Sequence, residues 1–131
     1  MRLTSLVLLL ALATSAQAAP HWYSSPKWWA GTAIIGTVAA LDGISSQRAY
    51  NRGYIEGGWD AAPIIGQHPS RGALAGYCAG EFALGTTLHW GFWRLTHNDR
   101  SKAWRTLGDW AAPDIFAGYG LPVVVNNFKA K

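Results

Sequence analysis

The chain has 131 residues, of which 50% are hydrophobic and only 14% are charged, against about 25% charged in typical soluble domains. This length allows one domain. The charged side chains are too few to cover the surface of a small water-soluble domain. The net charge is +4, but the basic residues are scattered through the connecting segments and form no stripe, which argues against a nucleic-acid partner. The single cysteine, Cys78, excludes an internal disulfide framework, and we interpret it as a small packing residue.

Residues 1–18 have the three parts of a secretory signal peptide. Arg2 supplies the positive charge, residues 6–12 the short apolar stretch, and residues 16–18 the small-x-small cleavage site. That apolar stretch is too short for a membrane span, which needs about 20 residues. We therefore expect cleavage after Ala18 and a single domain over residues 19–131, whereas an uncleaved signal would remain as a fourth membrane helix.

Three apolar stretches that are less hydrophobic than the signal segment follow, and each predicts a helix. Ser25-Pro26 is typical of an N-cap with proline at the first helical position, so the first helix is predicted from Lys27 to about Ser46. Its centre is apolar on all sides, which is typical of a helix with no water around it. The third helix is predicted from about Ala103 to Val125, with Pro113 and Pro122 as candidate interruptions.

The second helix is predicted from Gly72 to about Trp93. Gly72, Gly76 and Gly80 recur every four residues in it, with alanines beside them. In membrane bundles this small-xxx-small pattern lets another helix approach closely. The three glycines are therefore predicted to form a helix-packing ridge.

The segment Gln47–Arg71 between the first two helices is rich in glycine and proline and predicts a loop. Together with the end of the first helix, over Leu41–Arg71, this segment carries the pattern Asp42-x-x-Ser45, Gly53-x-x-Glu56 and Pro63-x-x-Gly66-x-x-Pro69. This pattern resembles a loose set of uncharacterised small polytopic bacterial membrane proteins, in which Asp and Ser/Thr are followed by Gly-x-x-Glu and directly by Asn-Pro. Here residues 57–62 intervene and no Asn precedes Pro63. The resemblance implies a membrane fold but no activity, and it makes Glu56, Pro63, Gly66 and Pro69 candidate structural loop residues.

The tryptophans suggest an orientation. They begin the first helix, end the second and begin the third, so an up-down-up arrangement places all of them at one end: Trp28, Trp29, Trp90, Trp93, Trp104 and Trp110. Tryptophan prefers the bilayer interface. The sequence thus predicts an all-α membrane bundle with three spans, located in the bacterial cytoplasmic (inner) membrane. The alternative is a soluble helical domain in the periplasm.

Four ionisable residues fall inside the predicted spans: Asp42, Glu81, His89 and Asp114. Such groups are costly in lipid and usually face the bundle interior or water, so they are the candidate catalytic residues. We favour structural roles for them, with His89 at the interface beside Trp90. The other histidines, His21, His68 and His97, lie in separate connections without ligand spacing, so we expect no metal site. No cofactor-binding motif occurs, and we expect no cofactor.

Three functions remain open at this point. The favoured one is a non-enzymatic accessory or assembly protein that packs through the glycine ridge against a membrane protein partner or as a homo-oligomer. The second is a membrane-embedded enzyme or proton-coupled carrier that uses the four intramembrane residues. The third is a soluble periplasmic binding module with exposed tryptophans.

Overall fold

A computed structural model of the chain describes residues 21–54, 62–98 and 101–129. Within these ranges the regular structure is entirely helical, which confirms the all-α prediction: a 3₁₀ turn at Trp22–Ser24, then α1 (Pro26–Tyr50), α2 (Ala62–Ile65), α3 (Arg71–Thr96) and α4 (Lys102–Lys129). The signal segment, its cleavage site and Glu56 lie outside the described residues.

The first helix begins where the sequence predicts. The Ser25 hydroxyl accepts a hydrogen bond from the Trp28 N–H at 3.4 Å, and Pro26 occupies the first helical position, where its missing N–H costs nothing. The helix continues to Tyr50, beyond the predicted end at about Ser46. A turn then follows, in which Gly53 adopts a φ of 88°.

The connection to α3 contains the short helix α2. It ends at Gly66, whose φ of 81° is a left-handed conformation that favours glycine. Pro63 lies inside α2, and Pro69 precedes Ser70, whose side chain caps α3 by accepting from the Ala73 N–H at 3.1 Å. Gly66 and Pro69 thus lie between helices in the connection from α1 to α3, whereas Pro63 lies within α2, and a structural role for these residues stays a prediction.

The three long helices α1, α3 and α4 pack against one another in an up-down-up bundle. The start of α1, the end of α3 and the start of α4 meet at one end, which we call the tryptophan end. There the Trp28 and Trp93 rings lie 6.5 Å apart, edge to face. At the opposite end the Arg48 guanidinium lies over the Phe128 ring.

The tryptophan end does not consist only of surface rings. Trp28 and Trp93 are each only 2% exposed, because they fill the space between helices, so placing these two at a lipid interface was wrong. Trp29 and Trp104, both 54% exposed, are the ones that reach the outside. The pairing of helix ends was right, but two of the six rings belong to the core.

Close helix contacts depend on glycines other than the predicted ridge. A Cβ at Gly31 would strike His89 and Pro113, and one at Gly85 would lie 2.6 Å from Ile35. Gly108 is pressed in the same way against Thr96, and Gly120 against Val38. At these four positions, and not at Gly76 or Gly80, an added Cβ would collide with a neighbouring helix.

The distribution of polarity in the bundle is unusual. The buried set includes five polar side chains: Ser45, Ser46, His89, Thr96 and Asp109. Large apolar side chains are exposed along all three long helices, such as Ile44 (60%), Leu84 (59%) and Ile115 (59%). None of the helices in the described ranges has both the length and the mean hydropathy expected of a membrane span.

Candidate functional site

The four candidate catalytic residues lie in three different places. Asp42 and Glu81 come together between α1 and α3, His89 is buried at the tryptophan end, and Asp114 is exposed on α4. No single site contains all four, so the two ionisable clusters are described separately.

His89 is fully buried at the tryptophan end, not at a surface beside Trp90. Its ring stacks on Trp28 with centroids 4.3 Å apart and planes 16° from parallel. Nε2 lies 3.0 Å from the backbone carbonyl oxygen of Asp109, and Nδ1 lies 3.5 Å from the Thr32 hydroxyl. Because a carbonyl can only accept, Nε2 donates to it, and Nδ1 of the neutral ring is left to accept from Thr32.

Pro113 explains why the His89 ring is needed there. Proline has no N–H, so Pro113 cannot donate to the Asp109 carbonyl four residues before it, as any other residue in a helix would. His89 supplies that hydrogen bond from α3 instead. Gly31 on α1 leaves the space in which the imidazole and the proline ring meet. The result is that α4 continues through Pro113 as one helix, which removes the predicted interruption.

The side chain of Asp109 is enclosed by two cationic or potentially cationic groups. Lys27 Nζ lies 3.2 Å from Oδ2, and His97 Nε2 lies 3.1 Å from Oδ1. The second contact is a close approach without hydrogen-bond alignment. His97 is itself fixed, since it stacks on Trp93 at 4.2 Å and its Nδ1 lies 3.0 Å from the Trp93 carbonyl. The buried carboxylate therefore ties α4 to the start of α1 and the end of α3.

The second cluster joins Asp42 of α1 with Cys78 and Glu81 of α3. One carboxylate oxygen from each acid and the Cys78 sulfur all lie within 4.8 Å of one another, and all three residues are half-buried. Cys78 Sγ fits against α1 because residue 43 is glycine: a Cβ there would lie 3.0 Å from the sulfur. We call this group the Asp–Cys–Glu cluster.

Asp114 borders a shallow surface depression of about 670 Å³. Its lining comes from one face of α4 alone: Lys102, Ala103, Thr106, Leu107, Trp110, Ala111 and Asp114. Because one helix supplies the whole lining, no second element encloses a ligand. A catalytic role for Asp114 stays a prediction that this geometry does not favour.

The glycine ridge faces away from the other helices. Gly72, Gly76 and Gly80 are exposed, and a Cβ at Gly76 or Gly80 would meet nothing within 4 Å. No helix in the described part of the chain lies on this face. Its role in packing against another protein therefore stays a prediction.

Sequence reasoning missed three residues that matter for these clusters. Asp109 is not among the candidates taken from the sequence, His97 is assigned only to a connection between helices, and Cys78 only to packing. The three-residue spacing of Cys78 and Glu81 could have shown that they share a face of α3. That Asp42 joins them depends on how α1 packs, which no local pattern reveals.

Comparisons with protein families, with curated proteins and with solved structures returned no match to this chain. The resemblance of the Leu41–Arg71 region to small bacterial membrane proteins stays untested. Function must therefore be inferred from the geometry alone.

Proposed function

We propose that this chain is a small integral protein of the bacterial cytoplasmic membrane, exported through its signal segment, that acts as a non-enzymatic accessory or assembly protein. The observation that carries the proposal is the outer surface of the bundle, where large apolar side chains are exposed along all three long helices and the exposed charges gather near the helix ends. A periplasmic location without lipid is the alternative that the tests below must separate.

The outer surface of the bundle supports placement in lipid. In the described ranges, ten large apolar side chains more than four residues from the ends of the long helices are exposed: Ile34, Ile44, Phe82, Leu84, Leu88, Leu107, Ile115, Tyr119, Leu121 and Val123. A soluble three-helix bundle directs such residues inward and covers the outside with charge. Extended apolar surface of this kind needs to be covered by lipid or by another protein.

The exposed charges support the same placement. In the described ranges the exposed Asp, Glu, Lys and Arg side chains, apart from Asp114, lie within four residues of a long helix end or beyond it: Lys27, Arg48, Arg52, Arg71, Lys102, Arg105 and Lys129. A band with a single exposed charge thus separates two charged ends. Helices of 25, 26 and 28 residues measure about 38–42 Å at 1.5 Å per residue, longer than a hydrocarbon core of about 30 Å.

The mean hydropathy of a whole helix understates how apolar the outward surface of such a bundle is. It includes the polar groups that face inward, such as Ser45, Ser46 and Asp109, which lipid would never meet. Glycine and alanine also lower the mean, yet they are the residues that let membrane helices approach closely. Lipid contact depends on the outward faces alone.

The accessory role rests on the open face of α3. Gly76 and Gly80 have no neighbour within 4 Å at the position of a Cβ, and the adjacent Ala75 and Ala79 are exposed too. We propose that a second copy of the chain packs here, because one patch on one helix can meet itself across a two-fold axis. A different membrane protein on the same face is the alternative outcome.

The enzyme or carrier hypothesis gains less support. His89 is already used as the donor to the Asp109 carbonyl, and Asp114 lies on the outside of α4. A proton path through all four candidates would need them to adjoin one another. The described arrangement divides them among three places.

Membrane placement is tested by extraction. The full chain expressed in bacteria is expected to stay in the membrane pellet through an alkaline carbonate wash and to require detergent for a monodisperse preparation. A monodisperse protein in plain buffer would refute the placement, whatever the fate of the glycine face.

The role of the glycine face is tested by Gly76→Leu, with Gly118→Leu as the matched control on α4, where a Cβ also meets nothing within 4 Å. Gly76→Leu is expected to convert a dimer in mild detergent into a monomer, whereas Gly118→Leu keeps the dimer. If the wild type is already monomeric and co-purifies with another membrane protein that Gly76→Leu releases, the occupant is that partner. Wild-type assembly in both variants would refute the face as a contact.

A further inference from the structure

The Asp–Cys–Glu cluster combines three metal-ligating side chains from two helices. Cys78 and Glu81 are one turn apart on α3, and Asp42 faces them from α1. Two carboxylates and a thiol that approach within 4.8 Å in a half-buried position repel one another when ionised. A cation among them converts that repulsion into attraction.

Two serines of α1 contact Asp42, and a side chain of α4 binds both serines. The Ser46 hydroxyl lies 3.5 Å from Asp42 Oδ1, and the Ser45 hydroxyl donates to the Asp42 carbonyl at 3.1 Å. Asn127 of α4 donates to both hydroxyls, at 3.0 Å to Ser46 and 3.3 Å to Ser45. Networks of this kind around a ligand fix its orientation in metal sites.

The absence of a side chain at residue 43 leaves room for the Cys78 sulfur next to α1. Gly43 removes the one side-chain carbon of α1 that would press on Cys78 Sγ, so the thiol can lie beside the neighbouring carboxylate of Asp42. The three ligand atoms lie no more than 4.8 Å apart, and separations of about 3.5 Å would suit a tetrahedral site with bonds of about 2.0–2.3 Å. Side-chain rotation covers the difference.

We propose that Asp42, Cys78 and Glu81 bind a divalent transition metal of the zinc class. The thiolate disfavours Mg²⁺ and Ca²⁺, which prefer oxygen ligands alone, and the two carboxylates complete a borderline set that suits Zn²⁺. Three protein ligands leave a fourth position for water or an external ligand. This site departs from the expectation of no metal, which considered only the spacing of histidines, and it does not depend on membrane placement.

Cobalt titration tests the site on the full chain, purified without a histidine tag and kept reduced by a phosphine. Co²⁺ is expected to give a thiolate-to-metal charge-transfer band that saturates at one equivalent and disappears when Zn²⁺ is added. Because Cys78 is the only cysteine in the chain, the band reports on this residue alone.

Substitutions of the three proposed ligands test whether each of them contributes to Co²⁺ binding. Cys78→Ser is expected to abolish the band, and Asp42→Asn and Glu81→Gln each to weaken Co²⁺ binding about tenfold or more, as even outer contacts of metal sites do. Asp114→Asn, an exposed acid on α4, is the control that leaves the affinity unchanged. Far-ultraviolet circular dichroism shows that each variant is folded, and Cys78→Ala replaces Cys78→Ser if the latter is not.

Two results would overturn the proposal. One is the absence of a saturable band in the folded wild-type protein. The other is an affinity that Asp42→Asn and Glu81→Gln leave unchanged, which would mean that the cysteine binds cobalt without the acids.

Discussion

The two ionisable clusters of this bundle differ in how their charges are matched. At the tryptophan end the buried Asp109 has Lys27 and His97 against its two oxygens, and His89 donates to its carbonyl. In the Asp–Cys–Glu cluster all three groups carry a negative charge or none. In the first arrangement the chain itself supplies groups of opposite charge next to the carboxylate, whereas for the second we propose a metal cation. Burial of an ionisable group alone therefore does not separate a structural role from a ligand-binding one.

The largest expected effect comes from crowding the tryptophan end with Gly31→Ala. The added methyl strikes the His89 ring and lies 2.8 Å from Pro113 Cγ, so we expect a loss of about 3 kcal/mol of stability. Thermal unfolding in mild detergent, followed by circular dichroism, measures it.

Gly118→Ala on α4 is the matched control for that change, because its methyl meets nothing within 4 Å and alanine favours the helix. It is expected to keep or raise the unfolding midpoint. Equal losses in the two variants would show that the packing assigned to Gly31 is wrong.

A smaller effect is expected from removing the donor with His89→Leu. The Asp109 carbonyl then loses its partner, at a cost of about 1–3 kcal/mol. In a Pro113→Ala background the helix N–H of residue 113 takes over that carbonyl, so the same change should cost at least about 1 kcal/mol less. A double-mutant cycle of unfolding free energies measures the difference. Equal costs in both backgrounds would contradict the link between His89 and Pro113.

The smallest effect is expected in the other cluster. Without added metal, Glu81→Gln removes one of the like-charged groups, so stability should be unchanged or slightly raised, by less than about 1 kcal/mol. With one equivalent of Zn²⁺ the wild type should gain stability and the variant should not. Unfolding midpoints with and without Zn²⁺ provide the comparison. A large loss in the metal-free variant would mean that this cluster is structural as well.

The sequence predicted local features well and contacts poorly. The Ser25-Pro26 start and the approximate positions of the long helices follow from apolar stretches and from capping and turn residues within a few positions. The continuity of α4 through Pro113 did not, because the compensating donor is on α3. Trp28 and Trp93 were assigned to an interface for a similar reason: a tryptophan near a helix end looks the same whether lipid or another helix covers it.

The glycine pattern shows the same limit. Gly72, Gly76 and Gly80 form the regular repeat, yet the irregularly spaced Gly31, Gly85, Gly108 and Gly120 make the close contacts. Regular spacing identifies a smooth helix face but not what lies against it. Only the partner helix decides that.

Spin labels at Leu84 and Ile115, in a Cys78→Ser background reconstituted into vesicles, test the central claim that the outward apolar side chains meet lipid. The account predicts that both labels collide more with oxygen, which concentrates in the bilayer, than with a water-soluble nickel chelate. Labels at Lys102 and Lys129, at the two ends of α4, should show the reverse preference. If the nickel chelate reaches residues 84 and 115 as readily as it reaches 102 and 129, the outer band faces water and the account is wrong.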